Sequence, residues 1–221
     1  MRKLETLVGL LLLLFITSCE NDPYGSGDGH YSKMTTEFGE AKYDVNGCAY
    51  KFVTDADEIL NFTAPVGTPD SNKVDKSIRS LLYYNLTEEK NLVEPLTINT
   101  VLTANVIEKG KLSDLGDDPL KIESVWLSKN KKYLNLSLQI KTSLPEDKKM
   151  KHKLGLVFTD FNSETADLFL IHDDGGIPAN YSVKCYFSTP VSSIKSQVPE
   201  CKTVRITANT FKGMQTFELK L

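Results

Sequence analysis

From Glu37 onward the chain alternates short apolar and polar runs, broken by turn chemistry at Asn46-Gly47, Asp70-Ser71-Asn72, Asp117-Asp118-Pro119, Lys129-Asn130 and Asp174-Gly175-Gly176. No segment carries a convincing helical period. The clearest case is Tyr133 to Lys141, where Leu134, Leu136, Leu138 and Ile140 point one way and Asn135, Ser137 and Gln139 the other. That period of two predicts an antiparallel strand with one face buried and one solvated. The same alternation recurs at Leu154-Leu156-Phe158, Val204-Ile206-Ala208 and Phe217-Leu219-Leu221. With Ile122 to Ser128, Leu168 to His172 and Tyr181 to Ser188 the C-terminal half supplies seven strands, the number of an immunoglobulin-like sandwich. Val191 to Val198 reads as a single helical turn or a loop.

Upstream, Lys42 to Val45, Ala49 to Thr54, Leu60 to Ala64, Ser77 to Leu86 and Val101 to Glu108 read as five strands. Five strands in so short a stretch suit a small barrel of the OB type, whose closure removes exposed edges. Asp114 to Pro119 concentrates acid, Gly and Pro and reads as a linker. The expected organisation is all-β: an OB-like barrel over residues 37–113 and an immunoglobulin-like β-sandwich over 119–221.

The first residues follow another logic. Arg2 and Lys3 precede Leu7 to Ile16, an almost wholly apolar run of ten residues, too short to cross a bilayer, which takes about 20. Ile16-Thr17-Ser18-Cys19 then places two small residues before a cysteine, the pattern of a lipobox. Residues 1–18 are thus expected to be a lipoprotein signal peptide, with Cys19 the lipidated first residue of the mature chain. The thiol is the group there able to take diacylglycerol as a thioether. Two or three acyl chains, at about 0.8 kcal/mol per buried methylene, would hold the protein on a membrane, here the outer membrane, facing periplasm or cell surface. Residues 19–36 read as a tether: Glu20 to His30 is rich in Gly and acid and lacks apolar periodicity. Its Glu20-Asn21-Asp22 start suits either a surface-export signal or plain hydration.

Export places the remaining cysteines, Cys48, Cys185 and Cys201, outside the reducing cytoplasm. Cys185 and Cys201, nearest in sequence, are the candidate disulfide, worth about 3 kcal/mol in the chain-entropy picture. The alternative is three small buried hydrophobes.

Charge narrows the partners. The chain carries a formal net charge of −3, and losing Arg2, Lys3 and Glu5 with the leader makes it −4. Nucleic acid is not expected, because phosphate binding needs clustered Lys and Arg. Lys129, Lys131 and Lys132, and Lys148, Lys149 and Lys151, read as solvated turns between strands.

Catalytic chemistry finds little support. Trp126, the single tryptophan, alternates with apolar neighbours and reads as core rather than a sugar-stacking platform. Tyr83 and Tyr84 point to opposite faces, so at most one could meet a ligand. His172-Asp173-Asp174-Gly175-Gly176 gathers imidazole and carboxylates but lacks the ligand spacing and closing Glu of a calcium loop, so a polar turn is expected. Only His30, His152 and His172 are present, too few for a multi-histidine zinc site, and no Gly-x-Ser-x-Gly elbow or phosphate-cradling loop accompanies them. No cofactor, metal or catalytic residue is expected.

Leu81-Leu82-Tyr83-Tyr84-Asn85, Asp118-Pro119 followed by Glu123-Ser124-Val125-Trp126-Leu127, and Lys132-Tyr133-Leu134-Asn135-Leu136 resemble the NigD-like lipoproteins of Bacteroidetes. His172-Asp173 with Gly176-Ile177-Pro178 and Tyr181 adds to the likeness, which covers nearly the whole mature chain apart from the tail after Ser188. The resemblance implies an OB-like domain followed by a β-sandwich, and carries over no catalytic residue. The expected role is a non-enzymatic envelope lipoprotein that binds a protein or glycan partner. The alternative, which the family's bacteriocin-linked name implies, is an immunity or protection protein.

Overall fold

A computed structural model describes Gly29, residues 34–108, Gly110 and residues 116–144 and 150–221. The leader, Cys19 and nearly all of the tether lie outside the described residues. Thr35–Leu221 forms one compact unit containing two β modules.

The first module is a closed barrel of β1 (Thr35–Tyr43), β2 (Ala49–Thr54), β3 (Ile59–Val66), β4 (Ser77–Leu86) and β5 (Leu92–Thr100), in the order β1-β2-β3-β5-β4. β3 and β5 pair in parallel and β1 closes on β4 antiparallel. Five strands closed in this way are the expected OB-type arrangement. Ala41, Tyr43, Phe52, Leu82, Tyr84 and Val93 fill its interior. Gly39 on β1 lets the barrel close tightly: a Cβ there would stand 2.2 Å from the Val53 carbonyl oxygen and 2.5 Å from the Phe52 ring.

Two sequence expectations move. The first strand begins at Thr35, not Lys42, because it pairs on both sides, and Val45 lies in the turn, 74% exposed. The fifth is Leu92–Thr100, not Val101 to Glu108. Pro95 hides it in the sequence, yet is accommodated where the β4–β5 register slips between Tyr83 and Tyr84.

The second module stacks two four-stranded sheets. One has the order β6-β11-β8-β7, from β6 (Leu102–Thr103), β11 (Tyr181–Pro190), β8 (Tyr133–Thr142) and β7 (Lys121–Leu127). The other has the order β13-β12-β10-β9, from β13 (Gly213–Lys220), β12 (Thr203–Thr210), β10 (Thr165–Asp173) and β9 (Lys153–Phe161). All seven expected strands are present, and Leu102–Thr103 adds an eighth. Leu134, Leu136 and Leu138 pack against Leu156, Phe158, Leu168, Leu170, Phe187 and Ile206 in one core. Each fully buried aliphatic side chain stabilises the module by about 1.5–3 kcal/mol.

Between β11 and β12 the open reading resolves to one helical turn, α1 (Val191–Lys195). Pro190 starts it from extended backbone, the Ser193 hydroxyl donates to the Pro190 carbonyl at 2.7 Å, and Val191 and Ile194 face the core. No helix among the described residues is long and apolar enough to cross a membrane.

The passage from barrel to sandwich falls at Val101, whose N–H donates to the Arg79 carbonyl in the barrel while Leu102 and Thr103 already pair with Phe187 and Ser188. Gly116 to Pro119, expected in a linker, instead run along the sandwich: His172 N–H donates to the Gly116 carbonyl and Asp118 N–H to the His172 carbonyl.

Candidate functional site

The alternation of β8 predicts a solvated face at Asn135 and Ser137, yet these are 1% and 3% exposed. The barrel covers them. β-Pairing sets Trp126 opposite Asn135 on β7, and Ser188 and Tyr186 opposite Asn135 and Ser137 on β11, so all five share the outer face of that sheet. From the barrel, Phe38 meets this face edge-on, 5.5 Å from the Trp126 ring centre and 5.1 Å from that of Tyr186. Trp126 is therefore half-buried at the seam, neither in the sandwich interior as expected nor an open platform.

The seam is fastened by charge. Arg79 on β4 pairs with both carboxylate oxygens of Asp55, Nη2 to Oδ2 at 2.8 Å. The same Nη2 donates to Asn135 Oδ1 at 2.9 Å, and Ser188 Oγ donates to that oxygen at 2.7 Å. The guanidinium lies 4.3 Å from the Tyr133 ring centre and 5.6 Å from that of Phe38. Asn135 Nδ2 is buried without a hydrogen-bond partner among the described residues. An ion pair this dry is favourable only because every guanidinium face and the carboxylate fork are occupied.

A second layer surrounds it. Tyr133 OH donates to Glu40 Oε1 at 2.9 Å and Ser77 Oγ to Glu40 Oε2 at 2.7 Å. Burial, then the Glu40 hydrogen bond, pushes the Tyr133 phenol up to about 12. Burial pushes Glu40 up, but the hydrogen bonds from Ser77 and Tyr133, with Lys42 and Lys132 nearby, outweigh it and hold the carboxyl below its ordinary value. At the rim, Lys132 Nζ reaches Asp57 at 2.8 Å, and the Asn130 N–H donates to the Asp55 carbonyl at 2.7 Å.

Four depressions share lining residues in turn, two at the seam and two on the sandwich beside it. The first, of about 350 Å³, lies among Tyr83, Asn99, Lys184 and Tyr186. It shares Thr100, Val101 and Leu102 with one of about 430 Å³ at Ser77, Arg79 and Thr103. Tyr133 connects that to a cleft of about 430 Å³ under Lys131, Lys132 and Lys195, and Ser192 joins this to one of about 310 Å³ at Asn105, Glu108 and Gln197. Tyr83 and Tyr84 divide as expected: Tyr84 is in the barrel core and Tyr83 lines the groove.

The lysine cluster at 129–132 is indeed a turn between strands, but the fold brings Lys195 from α1 against it. Sequence reasoning missed Arg79, Asp55 and Lys195. One signal was available for the seam: Leu81-Leu82-Tyr83-Tyr84 is apolar on both faces of its strand, as a strand covered on both sides must be.

The second polar cluster is at the far side of the sandwich. The carboxylates of Asp118, Asp173 and Asp174 lie within 4.8 Å of one another. Their oxygens are engaged by the turn itself, from Asp174 N–H to Asp118, Gly175 N–H to Asp173 and Gly176 N–H to Asp174, and by Lys153 on Asp173. Beside them His172 Nδ1 contacts the Asp118 carbonyl, His172 Nε2 contacts His152 Nδ1, and His152 Nε2 contacts Thr142 Oγ1, each at 3.0 Å. A carbonyl only accepts, so His172 donates from Nδ1, while the direction of the other two contacts follows the ring tautomers. Burial, then the neighbouring His172, lowers the His152 pKa.

All three described cysteines are free. Cys185 lies on β11 and Cys201 just before β12 in the opposite sheet, and both thiols of the candidate pair are free in this structure. Burial pushes the Cys185 thiol up to about 11 and raises that of Cys201. Cys48 Sγ approaches the Gly67 carbonyl at 3.6 Å. Cys19 falls outside the described residues.

Residues 103–221 match the family described as the NigD-like C-terminal beta sandwich domain. No curated protein matches the sequence. Among solved structures, a NigD-like immunity protein from Bacteroides caccae superposes with a TM-score of 0.63 at 20% identity, over 84% of this chain and 91% of that one. A protein from Parabacteroides distasonis described as toxin-related gives 0.64 at 19% identity, over 85% and 93%. One from Bacteroides fragilis described as a lipoprotein gives 0.60 at 14% identity, over 84% and 98%. At such identities the likeness is one of fold.

Proposed function

The chain belongs to the NigD-like family, and we propose that it is a non-catalytic envelope lipoprotein that holds a protein or glycan partner in the groove between barrel and sandwich. The buried Arg79–Asp55–Asn135 joint carries this reading. Its cost is justified if the two modules must present one surface at a constant angle, as a composite binding site requires. Anchoring rests on the lipobox ending at Cys19, and the Bacteroides fragilis neighbour described as a lipoprotein supports it. Capture from native membranes tests the role: the full chain should return a reproducible partner, and substitutions along the groove should release it. Capture unaffected by every groove substitution rejects the site. For the anchor, Cys19→Ser should leave the envelope fraction, and a variant that still sediments with membranes rejects lipidation there.

The alternative is protection against a bacteriocin, supported by the Bacteroides caccae neighbour described as an immunity protein. Deleting the gene and exposing cells to toxin from neighbouring strains decides it, unchanged sensitivity being the negative result.

A further inference from the structure

The cleft at the end of β11 combines side chains that the sequence keeps far apart. Lys131 and Lys132 come from the β7–β8 turn, Lys195 and Ser192 from α1, with Tyr133, Pro190 and Val191 forming the floor of a depression of about 430 Å³. Lys132 is matched by Asp57, but neither Lys131 nor Lys195 has a carboxylate partner among the described residues. Lys131 stands at φ 58°, a left-handed conformation that Gly or Asn adopts more readily. Of the basic lining residues along the four depressions, Arg79 is paired with Asp55, Lys132 with Asp57 and Lys184 with Glu123, so the positive charge rests on Lys131 and Lys195, with Glu108 the acidic lining residue, in a chain whose net charge is −3. The cleft beside α1 therefore has the opposite sign to the molecule as a whole.

The remaining lining is rich in hydroxyl and amide groups, with Asn99, Thr100, Thr103, Asn105, Ser196 and Gln197. Tyrosine rings stand at one end and at the middle. A peptide is anchored chiefly by apolar side chains entering pockets, and of the apolar lining residues here Leu81, Val101, Val106 and Val191 are already buried in the fold, while Leu102 is 48% exposed. A linear chain of hydroxyl-bearing rings with anionic groups fits better: hydroxyls exchange hydrogen bonds with Ser, Thr and Asn, ring faces lie on Tyr, and acid groups meet lysine.

We propose that the seam and the sandwich cleft beside it form a binding site for an acidic glycan, with a carboxylate- or sulfate-bearing sugar between Lys131, Lys132 and Lys195 and the following rings laid past Tyr133 towards Tyr83 and Tyr186. This rests on the partner-binding reading above and names its ligand class. Affinity electrophoresis of the full chain through gels containing polygalacturonate, dextran sulfate, neutral dextran or poly-glutamate tests it. Retardation is expected with an acidic polysaccharide, not with neutral dextran, and more weakly with poly-glutamate. It should weaken as salt shortens the screening length from about 10 Å at 0.1 M to about 3 Å at 1 M. The pair Lys131→Asn and Lys195→Gln should raise the dissociation constant about tenfold, the equivalent of roughly 1.4 kcal/mol. Lys151→Gln with Lys212→Gln removes the same charge elsewhere on the surface and should leave binding unchanged. Equal retardation by poly-glutamate, equal loss in the second pair, or no retardation by either acidic polysaccharide overturns the inference. A native partner that is released by groove substitutions but is a protein or a neutral glycan overturns it too, while leaving the groove as the binding site.

Discussion

Arg79 and Asn135, 56 residues apart and on different β modules, meet through a 2.9 Å hydrogen bond in a place water does not reach. Asp55 holds the rest of the same guanidinium, with side-chain exposures of 2% for Arg79 and 11% for Asp55. Removing the arginine alone strands a buried carboxylate. Arg79→Ala should therefore lower the unfolding free energy by about 3–5 kcal/mol, whereas Arg79→Met combined with Asp55→Leu should recover much of that loss. Denaturant titration of the three proteins measures it, and a double variant no better than the single one contradicts the account.

His152 sets a pH dependence. The folded pKa of His152 lies below its unfolded value of about 6.5, so between those two values the unfolded chain binds more protons than the folded one. Stability is then full above about 6.5 and declines as pH falls through that window. The chain should show a lower melting midpoint at pH 5.5 than at pH 7.5, and His152→Gln should flatten that part of the profile. Equal slopes for the two proteins would mean that this ring is not the group responsible.

Gly39 tests how tightly the barrel closes. A methyl group on β1 must displace the Val53 carbonyl or the Phe52 ring, both of which are part of the barrel wall or core. Gly39→Ala should cost about 1–3 kcal/mol in thermal or denaturant unfolding, the usual range for overpacking. A neutral result would show that β2 can yield.

Thiol chemistry separates burial from pairing. With its pKa pushed up to about 11 by burial, Cys185 should react with iodoacetamide far more slowly in the native protein than in urea at the same pH. Mass mapping of the labelled peptides gives the two rates, and equal rates contradict the half-buried position.

What the chain determined by itself was local. Period-two alternation marked Tyr133–Thr142 and the other sandwich strands, and Asn46-Gly47 and Asp174-Gly175-Gly176 marked turns, because a pleated strand with one wet face and a turn needing positive φ each impose residue types on a few adjacent positions. The groove was not legible in that way. Asn135, Ser137 and Trp126 look like members of an ordinary half-buried sheet until the barrel lands on them, and Lys195 acquires Lys131 as a neighbour only when α1 folds back beside the β7–β8 turn. Juxtapositions of residues 56 or 64 positions apart leave no periodic trace, since each partner satisfies its own strand or helix equally well with or without the other. Tertiary packing alone turned polar positions that could have faced water into a dry joint, and beside it a basic cleft in an acidic protein.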